Sequence, residues 1–234
     1  MPIRNVLYLH GFASSPSSAK AALLGDRLAP FGIALRAPDF NEPDFATLTV
    51  TRMLEQTARE LARLPAGPTA LIGSSLGGFV AVHAATRRGP ELGAQRQGSG
   101  QDPQASAPVV SLLLLAPAFE FGRNRIRQLG PGGVDRWKTT DRLEVFHHAH
   151  GETREVHYEL YVDAQRYDAF SLKLEVPTVI IYGTRDESVE PASIERWARG
   201  RLNVRLVPVD DGHQLTNSLD VIWQETAKAV GLNT

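Results

Sequence analysis

The chain alternates between short runs of consecutive apolar residues and longer segments in which apolar residues recur every three or four positions. Runs of the first kind predict buried strands, and segments of the second kind predict amphipathic helices. The predicted strands are NVLYL (5–9), GIALRAP (32–38), TALIG (69–73), VVSLLLLAP (109–117), VPTVIIYG (176–183) and NVRLVPV (203–209). The predicted helices cover residues 19–28, 44–64, 76–88, 190–201 and 216–231. Apolar strands that alternate with helices favour a mostly parallel sheet with helices on both faces.

Two segments depart from this alternation. Residues 89–108, GPELGAQRQGSGQDPQASAP, contain almost no large apolar residues, which predicts a flexible insertion. Residues 118–172 are irregular and rich in Arg and His, and they predict a small cap. Within the cap, the alternating stretch EVHYELYVDAQRYD (155–168) predicts a strand or a hairpin. We expect residues 1–234 to form a single domain that carries both segments.

The bulk composition excludes several classes of protein. The 234 residues include no cysteine, which excludes disulfides and thiolate metal sites and is consistent with a reducing compartment. A formal net charge of −1 gives no electrostatic reason to expect nucleic acid or an anionic membrane as a partner. No signal-peptide pattern and no apolar run of about 18 residues is found in the sequence. We therefore expect a cytoplasmic protein, and nothing in the sequence indicates its oligomeric state.

The loops that follow the predicted strands contain the candidate chemistry, because ligands of parallel sheets bind beyond the carboxyl ends of the strands. One of these loops is GSSLG (73–77), which fits the pattern G-x-S-x-G and lies between a predicted strand and a predicted helix. The pattern places Ser75, rather than Ser74, at the apex of a tight turn, and it needs glycines where strand and helix pack closely. Ser75 is therefore the candidate nucleophile.

A serine hydroxyl needs a base to remove its proton. The loop GTRDESV contributes Asp186 and the loop DDGHQL contributes His213, each after a different predicted strand. The chain order Ser75, Asp186, His213 is that of the α/β-hydrolase triad, in which the three residues act as nucleophile, orienting acid and general base. Asp210 and Asp211 are alternative acids, but their short spacing to His213 favours a role in the loop.

The tetrahedral intermediate of acyl transfer needs two backbone donors. The residue after the nucleophile, Leu76, is expected to contribute one N–H. The second is expected from the loop after the first strand, LHGFASSP, where Phe12 is the candidate. His10 in the same loop is interpreted as a structural residue that holds the loop, because His213 has the better position for a base.

The segments YLHGFASSPSSAK, IGSSLGGF, YGTRDESV and DDGHQL resemble the α/β-hydrolase superfamily, and more narrowly the small bacterial YqiA-like esterases. The resemblance implies a three-layer α/β-hydrolase fold with a small cap. It also implies a serine hydrolase that cleaves carboxylic esters, or acyl thioesters, through an acyl-enzyme and needs no cofactor. Two other functions stay open: a non-catalytic protein of this fold that binds a small ligand or a partner, and a small peptidase or lipase.

The predicted cap contains three groups of residues whose roles the sequence leaves open. Its aromatic residues either line a hydrophobic substrate slot or form the core of the cap; they are Phe119, Phe121, Trp137, Phe146, Tyr158, Tyr161, Tyr167 and Phe170. Arg123, Arg125 and Arg127 could attract an anionic substrate such as a coenzyme A thioester, although such a run is more often a solvated face. The histidines, His147, His148, His150 and His157, lack the partners and spacing of metal ligands, so no metal is expected.

Overall fold

The computed structural model describes residues 3–86 and 107–232. The strands of these residues are β1 (Asn5–Leu9), β2 (Ala34–Arg36), β3 (Thr69–Ser74), β4 (Val109–Leu115), β5 (Leu143–His147), β6 (Glu152–Val156), β7 (Thr178–Gly183) and β8 (Val204–Val209). The α-helices are α1 (Ala19–Leu28), α2 (Val50–Arg63), α3 (Leu76–Thr86), α4 (Phe121–Leu129), α5 (Gly133–Thr140), α6 (Glu159–Ala164), α7 (Pro191–Ala198) and α8 (Leu219–Val230). Within the described ranges, no helix is long and apolar enough to cross a membrane.

A parallel sheet runs through the described part of the chain in the strand order β2-β1-β3-β4-β7-β8. Because successive side chains of a strand point to opposite faces, each central strand contributes to two cores. Leu7 packs in the core that α2, α3 and α7 cover, whereas its neighbour Tyr8 packs in the core that α1 and α8 cover. Helices therefore cover both faces of the sheet, and the predicted α/β-hydrolase architecture is confirmed.

The segment between β4 and β7 contains the residues that the sequence predicts to form a cap. It comprises α4, α5, the antiparallel hairpin of β5 and β6, and α6. The predicted strand or hairpin over 155–168 is wrong beyond Val156, because α6 begins at Glu159. Helical spacing lets Asp163 reach α2, where its carboxylate accepts hydrogen bonds from the Thr51 N–H and hydroxyl at 2.7 and 2.6 Å. Tertiary contacts thus override the alternating pattern.

One other predicted element differs from the structure, and one falls largely outside the described residues. The helix predicted over 44–64 is divided into a 3₁₀ turn at Phe45–Thr47 and α2. The division falls at Thr49, whose side chain accepts a hydrogen bond from the Arg52 N–H at 3.1 Å and so caps α2. The insertion predicted over 89–108 lies outside the described residues except for 107 and 108.

Candidate active site

The turn from β3 to α3 holds Ser75 at the carboxyl edge of the sheet. Its backbone has φ of 51°, in the left-handed region that a non-glycine residue rarely adopts. Glycines allow the close packing around this turn: a Cβ at Gly73 would lie 2.5 Å from the Gly77 carbonyl oxygen. A Cβ at Gly77 would overlap the carbonyl oxygen of Leu9 in β1. The strained serine is thus held by packing on both sides, as is common at functional sites.

Of the three residues predicted as a triad, His213 lies within hydrogen-bond distance of both others. His213 Nε2 is 3.0 Å from Ser75 Oγ, and His213 Nδ1 is 2.7 Å from Asp186 Oδ2. The Asp186 side chain is buried, whereas the imidazole is partly accessible from the cavity. With Nδ1–H donating to the carboxylate, Nε2 is left as the acceptor for the serine hydroxyl. The arrangement can move a proton from Ser75 to His213 while the carboxylate holds the ring.

The Asp186 carboxylate is fixed by its own loop. Its Oδ1 atom accepts hydrogen bonds from the N–H groups of Ser188 and Val189, both at 2.8 Å. Its Oδ2 atom is thereby turned towards His213. A carboxylate fixed in this way is suited to orient an imidazole.

The alternative acids have other partners. Asp210 is exposed and forms an ion pair with Arg185 at 2.8 Å. Asp211 accepts hydrogen bonds from the N–H groups of Gly212 and Asn217 and from the Ser218 hydroxyl, at 2.8 to 2.9 Å. Burial raises the pKa of Asp211, but these hydrogen bonds outweigh it and the pKa is lowered. Asp211 therefore stabilises the loop that carries His213.

The loop after β1 also lies beside Ser75. A Cβ at Gly11 would lie 3.2 Å from Ser75 Cβ, so the backbone passes directly beside the serine. The Phe12 N–H has no hydrogen-bond partner among the described residues, and Leu76 is the first residue of α3. Helix N-termini leave such N–H groups free. Both groups remain candidates for the oxyanion hole.

His10 holds this loop against the neighbouring one. Its Nδ1 atom lies 2.9 Å from the Gly11 carbonyl oxygen, and its Nε2 atom accepts a hydrogen bond from the Phe40 N–H at 2.9 Å. The two contacts together define the tautomer with the proton on Nδ1. His10 is buried and both ring nitrogens are occupied, which leaves neither free to act as a base.

A cavity of about 480 Å³ opens beside the triad. Of the eight aromatic residues of the cap, Phe121 and Phe146 line it, and Phe12 adds a third ring. Others lie in the protein core: Trp137 is buried in the cap, and Phe119 stacks on Trp197 with ring centroids 4.1 Å apart. The aromatic part of the cavity wall is therefore small, and much of the wall is polar.

The three arginines of α4 have different surroundings. Arg123 is exposed and pairs with Glu120 at 3.2 Å, and Arg127 is exposed and pairs with Glu190. Arg125 instead lines the cavity, with its guanidinium 4.4 Å from the centre of the Phe12 ring. Two of the three therefore form the solvated face, and one faces the candidate active site.

The structure also adds cavity residues that no sequence motif singled out. Asn124 and Gln128 of α4 line the wall, together with Lys20, whose Nζ donates to the Gln214 carbonyl at 2.7 Å. The helical spacing of Asn124 and Gln128 along α4 is the one sequence feature that could have indicated them. Among residues 3–86 and 107–232, no group of three or more His, Asp or Glu side chains has the geometry of a metal site.

Comparisons with known proteins agree with the fold. The statistical model of one family, described as "Uncharacterised protein family (UPF0227)", matches residues 5–91. Alpha/beta hydrolase domain-containing protein 10 from mouse is 18% identical with a TM-score of 0.75, over 97% of this chain and 89% of its own. A search of curated protein sequences gives no match.

Two bacterial structures are also similar. A protein of Agrobacterium vitis S4 is 21% identical with a TM-score of 0.80, over 97% of this chain and 87% of its own. The esterase domain of a Rhodothermus marinus protein is 19% identical with a TM-score of 0.65, over 99% of this chain and 89% of its own. Identities this low establish the fold rather than the activity. The described residues have the α/β-hydrolase fold.

Proposed function

We propose that this protein is a serine hydrolase that cleaves carboxylic esters, or acyl thioesters, through an acyl-enzyme on Ser75. The observation that carries the proposal is the pair of distances at His213: 3.0 Å to Ser75 Oγ and 2.7 Å to Asp186 Oδ2. Similarity in fold to an esterase domain supports the reaction class.

The first half-reaction acylates the serine. Ser75 Oγ attacks the ester carbonyl carbon while its proton passes to His213 Nε2. The carbonyl oxygen becomes an oxyanion, which the N–H groups of Phe12 and Leu76 stabilise. When the intermediate collapses, the bond to the leaving oxygen or sulfur breaks, and the leaving group takes the proton from His213. Asp186 stays ionised and stabilises the imidazolium.

The second half-reaction releases the acid. A water molecule gives its proton to His213 Nε2 and attacks the acyl carbon, forming a second oxyanion in the same hole. Collapse of this intermediate breaks the bond to Ser75 Oγ, which recovers the proton from His213. The products are a carboxylic acid and an alcohol or thiol, and the enzyme returns to its starting state.

The test is hydrolysis of short p-nitrophenyl esters by the wild type, by Ser75→Ala and by Ser74→Ala. Ser75→Ala is expected to lose on the order of 10⁴–10⁶ in kcat, while Ser74→Ala keeps most activity because its hydroxyl is not bonded to His213. Folding of each variant is checked by circular dichroism. Equal activity of Ser75→Ala and the wild type would refute the proposal and favour a non-catalytic binding protein.

A further inference from the structure

One face of α4 forms part of the cavity wall. Phe121, Asn124, Arg125 and Gln128 all line the cavity. Their spacing of i, i+3, i+4 and i+7 places them on a single stripe of the helix. The stripe begins with an aromatic ring and continues with three side chains that donate hydrogen bonds. A wall built for a purely apolar acyl chain would have apolar residues at these positions.

Two donors of this stripe have no acceptor. The Nδ2 atom of Asn124 is buried and makes no hydrogen bond with any residue that the structure describes. The Arg125 guanidinium forms no hydrogen bond or ion pair with a residue of the described ranges; it packs on the rings of Phe12 and Phe121, 4.4 and 5.2 Å from their centres. Burial lowers the pKa of Arg125 to about 10, because the guanidinium loses water. Buried donors without acceptors cost free energy, and the cation–π contacts offset this cost only in part.

We propose that Asn124 and Arg125 form a subsite for a carboxylate of the substrate, so that the enzyme prefers esters that carry a negative charge. This inference rests on the proposed function, because the subsite lies in the cavity that contains Ser75 and His213. A carboxylate offers only acceptors, and its plane matches the fork of a guanidinium. One ionised carboxylate also balances the positive charge of Arg125, which forms no ion pair with a described residue.

The other charged groups of the cavity are compatible with an anionic substrate. The Nζ of Lys20 donates to the Gln214 carbonyl at 2.7 Å, next to His213, and adds a second positive charge to the lining. Glu187 is the acidic counterpart in the lining, and its side chain is exposed to solvent. The screening by water weakens its repulsion of a bound anion.

Two matched pairs of esters test the subsite. Monomethyl adipate and methyl hexanoate have the same acyl length and leaving alcohol, and they differ in a terminal carboxylate against a methyl group. The second pair, 4-acetoxybenzoate and its methyl ester, carries the charge on the leaving group instead. The quantity measured is the ratio of kcat/KM for the charged ester to that for the neutral ester in each pair. Because each ratio compares two esters with the same variant, any effect of the substitution on the oxyanion loop that is common to both esters cancels.

The wild type is expected to prefer the charged member of at least one pair. Arg125→Met is expected to lower that ratio by about 10- to 100-fold, since a charge-assisted hydrogen bond is lost. Asn124→Leu removes the second donor at similar volume and is expected to lower the same ratio by a smaller factor. The matched control is Arg123→Met on the exposed face of the same helix, which should leave the ratio unchanged. Ratios that are the same in the wild type, Arg125→Met and Asn124→Leu for both pairs would overturn the subsite.

A binding measurement separates this inference from the proposed function. Calorimetric titration of Ser75→Ala with the ester pairs should show tighter binding of the charged ester, and Arg125→Met in the same background should abolish the difference. If this preference is found but the wild type hydrolyses no ester, the subsite stands and the proposed function fails. If esters are hydrolysed without any preference that depends on Arg125, the function stands and the subsite fails.

Discussion

His213 Nδ1 lies 2.7 Å from Asp186 Oδ2, although the two residues are on different loops and 27 positions apart. The loop that carries Asp186 binds one carboxylate oxygen with two N–H groups and leaves the other for the imidazole. The loop of His213 has its own carboxylate, Asp211, which bonds within that loop. The two aspartates therefore have different roles, one towards the imidazole and one within the histidine loop.

Asp186→Asn is expected to lower kcat by about 10²–10⁴-fold, because an amide cannot stabilise the imidazolium or hold the productive tautomer. The fold should persist, since Asn Oδ1 can still accept from Ser188 and Val189. Asp211→Asn is the matched control: it should cost thermal stability and little rate, and Asp210→Asn should cost neither. Initial rates at the pH optimum and melting temperatures distinguish the three variants. A crippled Asp211→Asn beside a nearly normal Asp186→Asn would place the acid on the histidine loop.

The packing of α3 against β1 gives a stability prediction. Gly77→Ala is expected to lower the free energy of unfolding by roughly 2–4 kcal/mol, because the new Cβ would overlap the Leu9 carbonyl oxygen. The control is Gly25→Ala in α1, where a Cβ meets no atom within 4 Å. That change should raise stability by roughly 0.5–1 kcal/mol, as alanine favours helix interiors. Urea titrations measure both, and equal effects of the two changes would contradict the close packing.

The surroundings of His147 predict that the stability of the fold decreases at acid pH. Its ring is fully buried, its Nε2 lies 3.0 Å from Asn41 Oδ1, and its Nδ1 has no partner among the described residues. Burial is the main cause that lowers the pKa of His147 to about 4, and the nearby positive charge of Arg154 contributes to the same shift. The unfolded chain therefore takes up a proton below about pH 6.5 that the folded protein does not bind until about pH 4.

The stability that neutral His147 provides is thus complete above about pH 6.5 and declines as the pH falls towards 4. Melting temperatures between pH 7.5 and pH 4.5 should fall by several degrees less in His147→Gln than in the wild type. The exposed neighbour His148, changed to glutamine, should follow the wild-type curve. A His147→Gln curve parallel to the wild type would show that this histidine is not held neutral.

Residues 93–106 lie outside the described part of the chain. Their composition predicts that the segment is dispensable for activity. They contain few groups able to pack, and they follow the end of α3 that is distant from Ser75. Replacement by a short Gly-Ser linker is expected to leave kcat/KM for a short ester within a few-fold of the wild type. A large loss of activity in a variant with normal circular dichroism would mean that the segment takes part in the site.

The sequence predicted the sheet and the positions of the loops that carry Ser75, Asp186 and His213, because local constraints determine them. Gly73 and Gly77 are required by the tight turn itself, and largely apolar strands such as β4 have few alternatives to burial in a sheet. The cap was predicted less well. The stretch over 155–168 alternates like a strand, and its helical conformation depends on Asp163 reaching Thr51, more than a hundred residues away.

The polar wall of the cavity was not predicted from the sequence either. Arg123, Arg125 and Arg127 form one uniform run, and only the orientation of α4 makes Arg125 differ from the other two. The same holds for His147, which nothing in the histidine-rich stretch marks as the buried member. Such distinctions depend on how the cap packs over the sheet.

In the proposed mechanism, His213 and Asp186 activate Ser75 as a nucleophile. A fluorophosphonate reacts with an activated serine whatever the natural substrate, so the test does not depend on finding that substrate. The measurement is mass spectrometry of the digested protein after treatment with a fluorophosphonate, which identifies the modified residue. We expect one adduct, on Ser75, and none in His213→Ala or in protein unfolded before treatment. An adduct on Ser74 or on another residue, or no adduct on the folded wild type, would contradict the account.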